Sequence, residues 1–572
     1  MKHRSLILGL ATWLLPTACA AIAGESDVPS ALDAGLEDSS MASDSGSGVR
    51  DSGTDSSSSS TGDSGSTGAD SASGPDAAAG FSMSAPPSLL LQQGASAPVT
   101  VTVARTGGFS DAIAVTVSGL PAGATANPLT ITNGSNSGPL TIVVGSTTPQ
   151  GTSHLSIDGV AANGTISAST TMDLIVRGPP GSIDSNFGNG GIVSGFLTTT
   201  NFGTFDAAAI DASGNVLIVI DSQLGGGQVL VVRIRPDGTL DPTFGTAGIA
   251  TVPDTGVHFD AVFPLSTGDI ELCGLSEAGS PWTDEYIRLT ATGAIDTSYS
   301  PDGGIGNSIL RTDGQPYVFT IDPTERVVET GFTGNAQGFL LSRRTAAGAA
   351  DTTFDAGFES TVGGPGGATL IQPDGMIVAT YASRNAPYGM GLVRTNSAGN
   401  LDPTFGTNGI VPGTGPGNPS GLVLESDGKL LTGGVVFSSG GSEMPGGFVA
   451  RYLANGTLDI TYGTAGSTTI TAGNVWAIAT QSNDELLSVG YPWPVGDAGG
   501  PTNDLWVERV TAGGLPDPVF GNAGIVTTTV GGAGEISIGE FVAVQADGRI
   551  VVVTATMKTQ GVYDFSVERY WP

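Results

Sequence analysis

Histidine is scarce in this chain, which limits the chemistry that its residues could perform. The chain has three His and two Cys among its 572 residues. A Ser or Cys nucleophile needs a neighbouring base, most often His, and a zinc site needs three or four His, Cys or carboxylate ligands. Between residues 181 and 572 the chain offers one of each, His258 and Cys273. The sequence therefore predicts neither nucleophilic catalysis nor a zinc site, and we expect no cofactor.

Carboxylates remain as groups that could perform acid–base chemistry, because paired carboxylates can act without histidine. Six polar or aromatic residues each interrupt an apolar stretch in the second part of the chain, and three of the six are acidic. If these stretches are strands that converge at a common axis, the six residues face a shared, solvated space and are candidates for contacting a ligand. They are Asp206, Asp260, Tyr317, Ser420, Trp476 and Glu540.

A repeated motif indicates which elements must position these residues. Its clearest copy is Leu240-Asp241-Pro242-Thr243-Phe244-Gly245, and its Asp recurs seven times at intervals of 51 to 58 residues. Self-similarity at such a period indicates a repeat architecture. An aromatic residue stands three positions after the Asp in every copy. We expect it to be a buried wedge between neighbouring units rather than part of a sugar-stacking ladder. The seven Asp positions are 184, 241, 296, 351, 402, 459 and 517.

Each unit also carries one arginine, and in six units it stands eight residues before the motif Asp. Arg569 has no Asp after it, whereas Asp184 has no matching Arg before it. This offset by one unit implies a closed ring in which the first copy of the motif completes the last unit. We expect each Arg to form a structural ion pair with its Asp. The pairs are Arg233 with Asp241, Arg288 with Asp296, Arg343 with Asp351, Arg394 with Asp402, Arg451 with Asp459, Arg509 with Asp517, and Arg569 with Asp184.

Each unit is predicted to contain four strands and no helix. The chain has 89 Gly, and only 13% of its residues are charged, a mix that favours short strands and tight turns. Asp-Gly pairs such as Asp374-Gly375 and Asp547-Gly548 predict hairpins. These turns lack the alternating carboxylates of a calcium-binding loop, so we expect no metal site.

The full pattern, Arg-x-x-x-Asp/Asn-Gly-x-Leu-Asp-x-Thr-Phe-Gly-x-x-Gly-Ile, resembles the delta-60 repeat of bacterial surface proteins. The resemblance covers residues 181–572, and the pattern is broken after Tyr299 and Phe354, where Ser300 and Asp355 replace the Gly. It implies a propeller-like fold and an extracytoplasmic setting, without an activity. With seven units, it predicts an all-β chain whose main part is a seven-bladed β-propeller closed by its N-terminal strand.

Residues 81–177 differ in character, with strict apolar–polar alternation in Val99–Val103 and in later segments. Such alternation marks strands with one buried face, and about seven of them in this length predict a β-sandwich. The stretches Ser118–Gly123 and Pro149–Gly151 resemble the Ig-like modules of bacterial envelope proteins. This resemblance implies a spacer, although the cysteine pair of antibody domains is absent from the sequence.

Residues 1–23 predict an export signal, because basic residues precede an apolar run, Leu6–Leu15, that is too short to span a bilayer. Ala21–Ala23 fits a signal-peptidase site. Thr17–Cys19 resembles the end of a bacterial lipobox, although Pro16 stands where that motif prefers Leu. Cys19 is thus a candidate lipid attachment site, and a lipoprotein and a freely secreted protein remain open as alternatives.

Residues 24–80 are rich in Ser, Asp, Gly and Ala and are predicted to be a disordered acidic linker, either a tether or a solubilising leader. The net charge of −33 argues against nucleic acid as a partner. It also argues against adhesion to an anionic membrane surface, which leaves a lipid on Cys19 as the one membrane contact that we expect.

Two classes of function fit these observations. The first is an exported or envelope-anchored protein whose propeller is a non-enzymatic binding or scaffolding surface on a spacer and tether. Its partner would be an envelope protein or a polysaccharide, and we expect a monomer. The alternative is a propeller lyase or hydrolase that acts on an extracellular polymer through the channel carboxylates Asp206, Asp260 and Glu540. The modular layout and the scarcity of histidine favour binding.

Overall fold

The computed structural model describes residues 78–572 with gaps at 198–203, 223–227, 254–256, 277–282, 300–308, 311–313, 334–337, 355–361, 363, 365, 384–388, 416, 438–442, 493–503 and 560–561. The predicted export signal, Cys19 and nearly all of the predicted linker lie outside the described residues. Within the described residues every regular element is a β strand, which confirms the prediction of an all-β chain. The same residues contain no helix that could cross a membrane.

The first nine strands form two sheets that enclose one core. One sheet has the order β1-β3-β7-β5 and the other β2-β9-β8-β4-β6. All strand pairs are antiparallel except β2 with β9. The inward positions of the alternating segments, such as Val101 and Ile157, are fully buried between the sheets. The strands are β1 (Gly80–Ser84), β2 (Ser88–Gln92), β3 (Ser96–Thr106), β4 (Ile113–Ser118), β5 (Ala124–Ala126), β6 (Leu129–Ile131), β7 (Ser137–Val144), β8 (Gly151–Ala161) and β9 (Ser167–Arg177).

The described residues form seven further sheets, and the first six of these have their strands in chain order. The first contains β11 (Thr204–Ile210), β12 (Val216–Ser222), β13 (Gln228–Ile234) and β14 (Ile249–Pro253). The second contains β15 (Val257–Pro264), β16 (Ile270–Ser276), β17 (Thr283–Leu289) and β18 (Ile309–Leu310). The third contains β19 (Gly314–Ile321), β20 (Val327–Thr333) and β21 (Gly338–Arg343). The fourth contains β22 (Gly366–Ile371), β23 (Ile377–Ser383), β24 (Gly389–Thr395) and β25 (Ile410–Gly415).

The last three sheets include the one that departs from chain order. The fifth contains β26 (Asn418–Leu424), β27 (Leu430–Phe437), β28 (Glu443–Tyr452) and β29 (Ser467–Ile470). The sixth contains β30 (Gly473–Thr480), β31 (Leu486–Pro492), β32 (Leu505–Val510) and β33 (Ile525–Thr528). The seventh contains β34 (Ile536–Val544), β35 (Ile550–Thr559) and β36 (Val562–Tyr570), and its outer strand is β10 (Ile192–Ser194), from the other end of the region.

The seventh sheet joins the two ends of this region. Strand β10 pairs antiparallel with β36, and an isolated bridge links Ile183 to Tyr570. The backbone N–H of Gly181 donates to the carbonyl of Trp571, and the N–H of Trp571 donates to the carbonyl of Ser182. The first strands of successive sheets contact one another, and β34 of the seventh sheet contacts β11 of the first. The seven sheets therefore follow one another in a cycle.

The apolar cores lie between neighbouring sheets. Val219 and Val231 of the first sheet pack with Phe259 and Leu272 of the second in one buried cluster. A second cluster joins the seventh sheet to the first and includes the motif ring of Phe187. Each unit therefore needs its neighbours to bury its apolar faces.

Candidate functional site

The arginine and aspartate of the repeat are in contact in six of the seven units. Their side chains are at most 11% exposed, which places these pairs in the class of buried ion pairs. The shortest nitrogen–oxygen distances are 2.7 Å for Arg233–Asp241, 2.7 Å for Arg343–Asp351, 2.7 Å for Arg394–Asp402, 2.9 Å for Arg451–Asp459, 2.7 Å for Arg509–Asp517 and 2.8 Å for Arg569–Asp184.

Arg288 has a different carboxylate partner. Its Nη2 lies 2.7 Å from Oε2 of Glu271, on the neighbouring strand β16. The hydroxyl of Tyr299 donates to the other oxygen of Glu271 at 2.5 Å. Burial raises the pKa of Glu271, and the hydrogen bonds from Tyr299 and Arg288 oppose that rise. The sequence assigned Asp296 to Arg288, but in this unit the glutamate occupies the position beside the guanidinium.

The motif aromatic residue lies under the guanidinium in all seven units, at 4.0 to 4.7 Å from the ring centre. Phe187, Phe244, Phe405, Tyr462 and Phe520 are fully buried there. A guanidinium over an aromatic face is a favourable cation–π contact. The buried rings are wedges between units, as the sequence suggested, and they offer no face on which a sugar could stack.

The motif also connects each unit to the next. Nη1 of Arg233 donates to the carbonyl of Ala291 at 2.9 Å, and the equivalent atom of Arg451 donates to Ala512 at 2.6 Å. The N–H of Gly245, which follows the motif ring, donates to the carbonyl of Thr292 in the next unit. Because the same bonds recur around the cycle, we regard the motif as a structural clamp between units.

The motif aspartates also cap their own turns. Oδ1 of Asp241 accepts hydrogen bonds from the backbone N–H and the hydroxyl of Thr243, at 3.0 and 2.8 Å. Burial alone would raise the pKa of Asp241, but the bonds from Thr243 and Arg233 outweigh it and lower the pKa to about 2. Thr353 and Arg343 likewise lower the pKa of Asp351 to about 2. The carboxylates of Asp241 and Asp351 are therefore held ionised.

Every first strand contains a β-bulge, and the bulges organise the candidate ligand-facing residues. The strand register shifts between Phe205 and Ala207, His258 and Ala261, Pro316 and Val318, Gly366 and Thr369, Pro419 and Gly421, Val475 and Ala477, and Gly539 and Phe541. A bulge redirects a side chain and is over-represented beside active sites. The six candidates, Asp206, Asp260, Tyr317, Ser420, Trp476 and Glu540, all stand at these bulges.

Glycines on the second strands make room for three of the bulges. A Cβ at Gly274 would lie 1.9 Å from the carbonyl oxygen of His258, and one at Gly434 would lie 1.9 Å from that of Asn418. A Cβ at Gly490 would lie 2.0 Å from the carbonyl oxygen of Asn474. Real Cβ atoms do not approach so closely, so a larger residue at these positions would displace the bulge.

The bulges lie at the end of the sheets opposite to the clamp. In the first sheet Thr204, at the start of the first strand, pairs with Asp221, near the end of the second. At the other end of that sheet Ile210 pairs with Val216, and Ile234 forms a bridge with Leu240 of the motif. We call the first of these the bulge end: it contains the starts of the first strands, the ends of the second strands and the starts of the third strands.

Two of the six candidates are directed into the neighbouring unit. Asp206 is 6% exposed and accepts a hydrogen bond from the backbone N–H of Phe259 on the next first strand. Ser420 is 3% exposed, and its hydroxyl donates to the carbonyl of Val475 at 2.6 Å. Both side chains therefore connect adjacent first strands. Asp260, Trp476 and Glu540 are partly exposed, and the side chain of Tyr317 lies outside the described residues.

Acidic residues surround Asp206 at the bulge end of the first two sheets. Burial raises the pKa of Asp206 well above its usual range, and the carboxylates of Asp221 and Asp260 raise it further. Oδ2 of Asp221 lies 3.4 Å from Nδ1 of His258, a side chain that is 41% exposed. The one histidine of the repeat region thus lies at the rim of this group of carboxylates.

An aromatic and acidic cluster occupies the bulge end of the sixth and seventh sheets. The rings of Trp476 and Tyr491 stack with their centres 5.8 Å apart and their planes at 28°. Burial raises the pKa of Tyr563, and the carboxyl group of Glu540 raises it further. Burial is the main cause of the raised pKa of Tyr491, and Tyr563 raises it further. Burial also raises the pKa of Glu540 to about 8.

Sequence reasoning missed Asp221, Tyr491 and Tyr563. All three lie at the bulge end, where second strands finish and third strands begin. None of them stands on a first strand, the element that carries all six candidates. For Asp221 and Tyr491 the available signal was a polar or aromatic residue at the end of an apolar second strand that pairs with an interrupted first strand. Among the described residues, no group of three or more His, Cys, Asp or Glu is arranged to hold a metal ion.

Comparison with known families supports the repeat assignment. A family model described as a domain of unknown function (DUF5122) beta-propeller matches residues 218–244, 372–405 and 425–462. This family is of the delta-60 repeat type, so the predicted resemblance and the presence of propeller-type repeats are confirmed. Each matched segment begins within a second strand or in the turn before it and runs through the motif.

Other comparisons add no functional information. The exo-β-1,3-galactanase from Phanerochaete chrysosporium, solved with galactose, matches at 10% identity over 68% of this chain and 96% of that chain, with a TM-score of 0.25. A TM-score this low supports no conclusion about fold or activity. The comparison with curated proteins found no match.

Proposed function

We propose that this is an exported envelope or secreted protein whose repeat region, residues 181–572, binds an extracellular partner at its bulge end. In this proposal the region is a seven-bladed β-propeller closed by its N-terminal strand. Residues 81–177 form an Ig-like spacer, and residues 24–80 form a linker to the surface or a solubilising leader. The function proposed is binding or scaffolding, without catalysis.

Strand topology supports the architecture. Seven sheets in a cycle, with β10 completing the seventh, have the connectivity of a propeller whose first and last strands share a blade. The sandwich order β1-β3-β7-β5 corresponds to the ABED sheet of an Ig-like domain. In the other sheet β2 pairs in parallel with β9. This is consistent with a first strand that is divided into β1 and β2, one in each sheet.

The observation that carries the binding proposal is the common position of the candidate residues. Six polar or aromatic residues stand at β-bulges on six of the seven first strands, and all six therefore lie at the bulge end. The opposite end is occupied by the clamp. Ligand sites require a few convergent polar groups beside apolar surface, and the bulge end has both.

The bonding of Asp206 favours binding over catalysis. Its carboxyl group accepts a hydrogen bond from Phe259 and is buried, which suits a residue that joins two first strands. The two partly exposed candidate carboxylates, Asp260 and Glu540, stand on the second and seventh sheets, which are not neighbours. A glycosidase needs two carboxyl groups within about 5–10 Å on either side of one bond.

One observation favours the alternative of a lyase or hydrolase. The raised pKa of Asp206, beside Asp221 and Asp260, is the kind of perturbation that acid catalysts show. Asp206 as a proton donor and Asp260 as its charged partner would be the minimum arrangement for such an enzyme.

The deciding experiment exposes the full chain to extracellular polysaccharides and to bacterial cell-envelope fractions, and it measures retention and product formation together. Retention without product is expected. Product formation that is lost in Asp206→Asn or Glu540→Gln would show the protein to be an enzyme. Absence of retention on every fraction would contradict a binding role.

Mass spectrometry of the mature N-terminus tests the export part of the proposal. A diacylated Cys19 would make residues 24–80 a tether on a membrane. A free terminus near Gly24 would make the protein soluble and secreted. An intact terminus at Met1 in exported material would contradict the predicted signal.

A further inference from the structure

Trp476 and Glu540 are two partly exposed candidates that stand on neighbouring sheets. Their backbones are brought together through Gly490. A Cβ at Gly490 would lie 2.8 Å from the backbone nitrogen of Trp476. A Cβ at Gly539 would lie 2.7 Å from the Cβ of Val489 and 3.2 Å from the backbone nitrogen of Gly490. Glu540 therefore lies in the part of β34 that packs on the end of β31, where Tyr491 stands.

This arrangement joins aromatic faces to a carboxyl group. Trp476 and Tyr491 are stacked and partly exposed, and Tyr563 on β36 is also partly exposed. Tyr and Trp provide a large apolar face with a polar edge. Glu540 supplies a carboxyl group beside them. The bulges of Trp476 and Glu540 present partly exposed side chains. They differ in this from the bulges of Asp206 and Ser420, whose side chains are bonded to the next first strand.

We infer that Trp476, Tyr491, Tyr563 and Glu540 form a subsite for one ring of a neutral glycan. The apolar face of a pyranose ring would pack on the indole of Trp476, and its hydroxyl groups would bond to Glu540 and to the tyrosine hydroxyls. The inference rests on the proposed binding function, because it names the ligand class of the same end of the fold.

The charge state of the cluster favours a neutral ligand. A carboxyl group with a pKa of about 8 is mostly protonated at pH 7, so it both donates and accepts a hydrogen bond. A cationic ligand would need the ionised carboxylate. An acidic sugar would need a positive charge, and none of the four residues supplies one.

The test measures binding of the full chain to three neutral probes, cellohexaose, laminarihexaose and mannohexaose, by calorimetry. Hexagalacturonate serves as the acidic probe and tetramethylammonium as the cationic probe. At least one neutral probe should bind, and Trp476→Ala should weaken that binding by about tenfold or more, equivalent to about 1.4 kcal/mol. Trp476→Phe, which preserves an aromatic face and the bulge, should weaken it less.

Glu540 provides a second readout. Glu540→Gln should retain binding, because an amide replaces a protonated carboxyl group, whereas Glu540→Ala should lose it. Asp374→Asn is the matched control: it changes an exposed residue in the turn between β22 and β23, at the end of the fourth sheet opposite to the bulge end, and should leave binding unchanged.

Several results would overturn the inference. They are failure of all three neutral probes to bind, preference for hexagalacturonate or tetramethylammonium, equal affinity in Trp476→Ala, and equal loss in Asp374→Asn. If Trp476→Ala is still retained on polysaccharide or envelope fractions as the unaltered chain is, the subsite is wrong and the binding function stands. If the unaltered chain is retained on no fraction, the binding function itself fails.

Discussion

Arg569 and Asp184 are 385 positions apart in the chain, yet Nη2 of the arginine lies 2.8 Å from Oδ2 of the aspartate. Their side chains are 4% and 0% exposed. The guanidinium also covers the ring of Phe187, and its Nη1 donates to the carbonyl of Pro236 in the first unit. The last strand thus makes with the first motif copy the contacts that other units make within themselves.

Asp184→Asn should loosen this junction. The amide preserves the turn that Asp184 caps but removes the charge beside Arg569, and breaking a buried ion pair costs about 3–5 kcal/mol. Hydrogen exchange should become faster in β10 and β36 and remain unchanged in β22 to β24. Asp564→Asn, which removes an exposed partner of Lys558, is the control and should cost less than about 1 kcal/mol. Equal exchange in β36 of the two variants would contradict a structural role for the junction.

Asp459 and Asp296 occupy the same motif position but should respond differently to the same substitution. Asp459 lies 2.9 Å from Arg451, whereas Arg288 bonds to Glu271. We expect Asp459→Asn to cost about 3–5 kcal/mol in local unfolding free energy and Asp296→Asn less than about 1 kcal/mol. Hydrogen exchange of β28 and β17 measures the two effects. Similar costs would show that the partner of Arg288 does not matter.

Gly490→Ala should disturb the bulge that presents Trp476. Its Cβ would lie 2.0 Å from the carbonyl oxygen of Asn474, which must move. Overpacking of this kind costs about 1–3 kcal/mol. Gly513→Ala is the matched control, because its nearest neighbour would be 3.8 Å away. Urea unfolding of both variants tests the expectation, and a stability of Gly490→Ala equal to that of the control would mean that the bulge adapts.

Stability should fall with rising pH because of Glu568, which is fully buried on β36. Burial raises the pKa of Glu568 from 4.5 to about 7, against hydrogen bonds from Ser566 and Thr554 that lower it. Between these two values the folded chain keeps a proton that the unfolded chain has lost, so each rise in pH favours unfolding. Above about pH 7 the loss of stability caused by Glu568 is complete, and below about pH 4.5 it disappears.

Glu568→Gln should therefore raise the free energy of unfolding relative to the unaltered chain. This gain should be larger at pH 8 than at pH 4.5 by on the order of 1–3 kcal/mol. Urea unfolding at both pH values measures the difference between the variant and the unaltered chain. Glu535→Gln is the control, because its carboxylate is paired with Lys558 and its pKa is lowered rather than raised. A Glu568→Gln advantage that does not grow between the two pH values would contradict a protonated Glu568.

The all-β character, the motif with its seven copies, and the offset that joins Asp184 to Arg569 could all be predicted from the sequence. The strands and the contacts within a unit follow from local geometry, whereas the junction follows from the order of the repeats. An arginine and an aspartate eight residues apart, on the two sides of a hairpin turn, are brought together by the turn that joins them. The alternation that buries Val101 and Ile157 is likewise a property of each strand.

Which of the interrupted first strands leave a side chain available to a ligand depends on packing between units. Asp206 and Glu540 look equivalent in the sequence, but Asp206 bonds to the next strand and Glu540 lies near Tyr563. Tyr491 on β31 and Tyr563 on β36 are brought to that cluster by the packing of the sixth sheet on the seventh, which the repeat register alone does not specify.

The difference lies in the range over which each contact is specified. A turn or a strand is determined by residues close together in the chain. The contact of Trp476 with Tyr491 depends on a bulge and on the absence of a side chain at Gly490, and the approach of Glu540 to that pair depends on the packing of two sheets. The same holds for Arg288, whose partner was decided by a glutamate on the neighbouring strand β16 rather than by the repeat pattern.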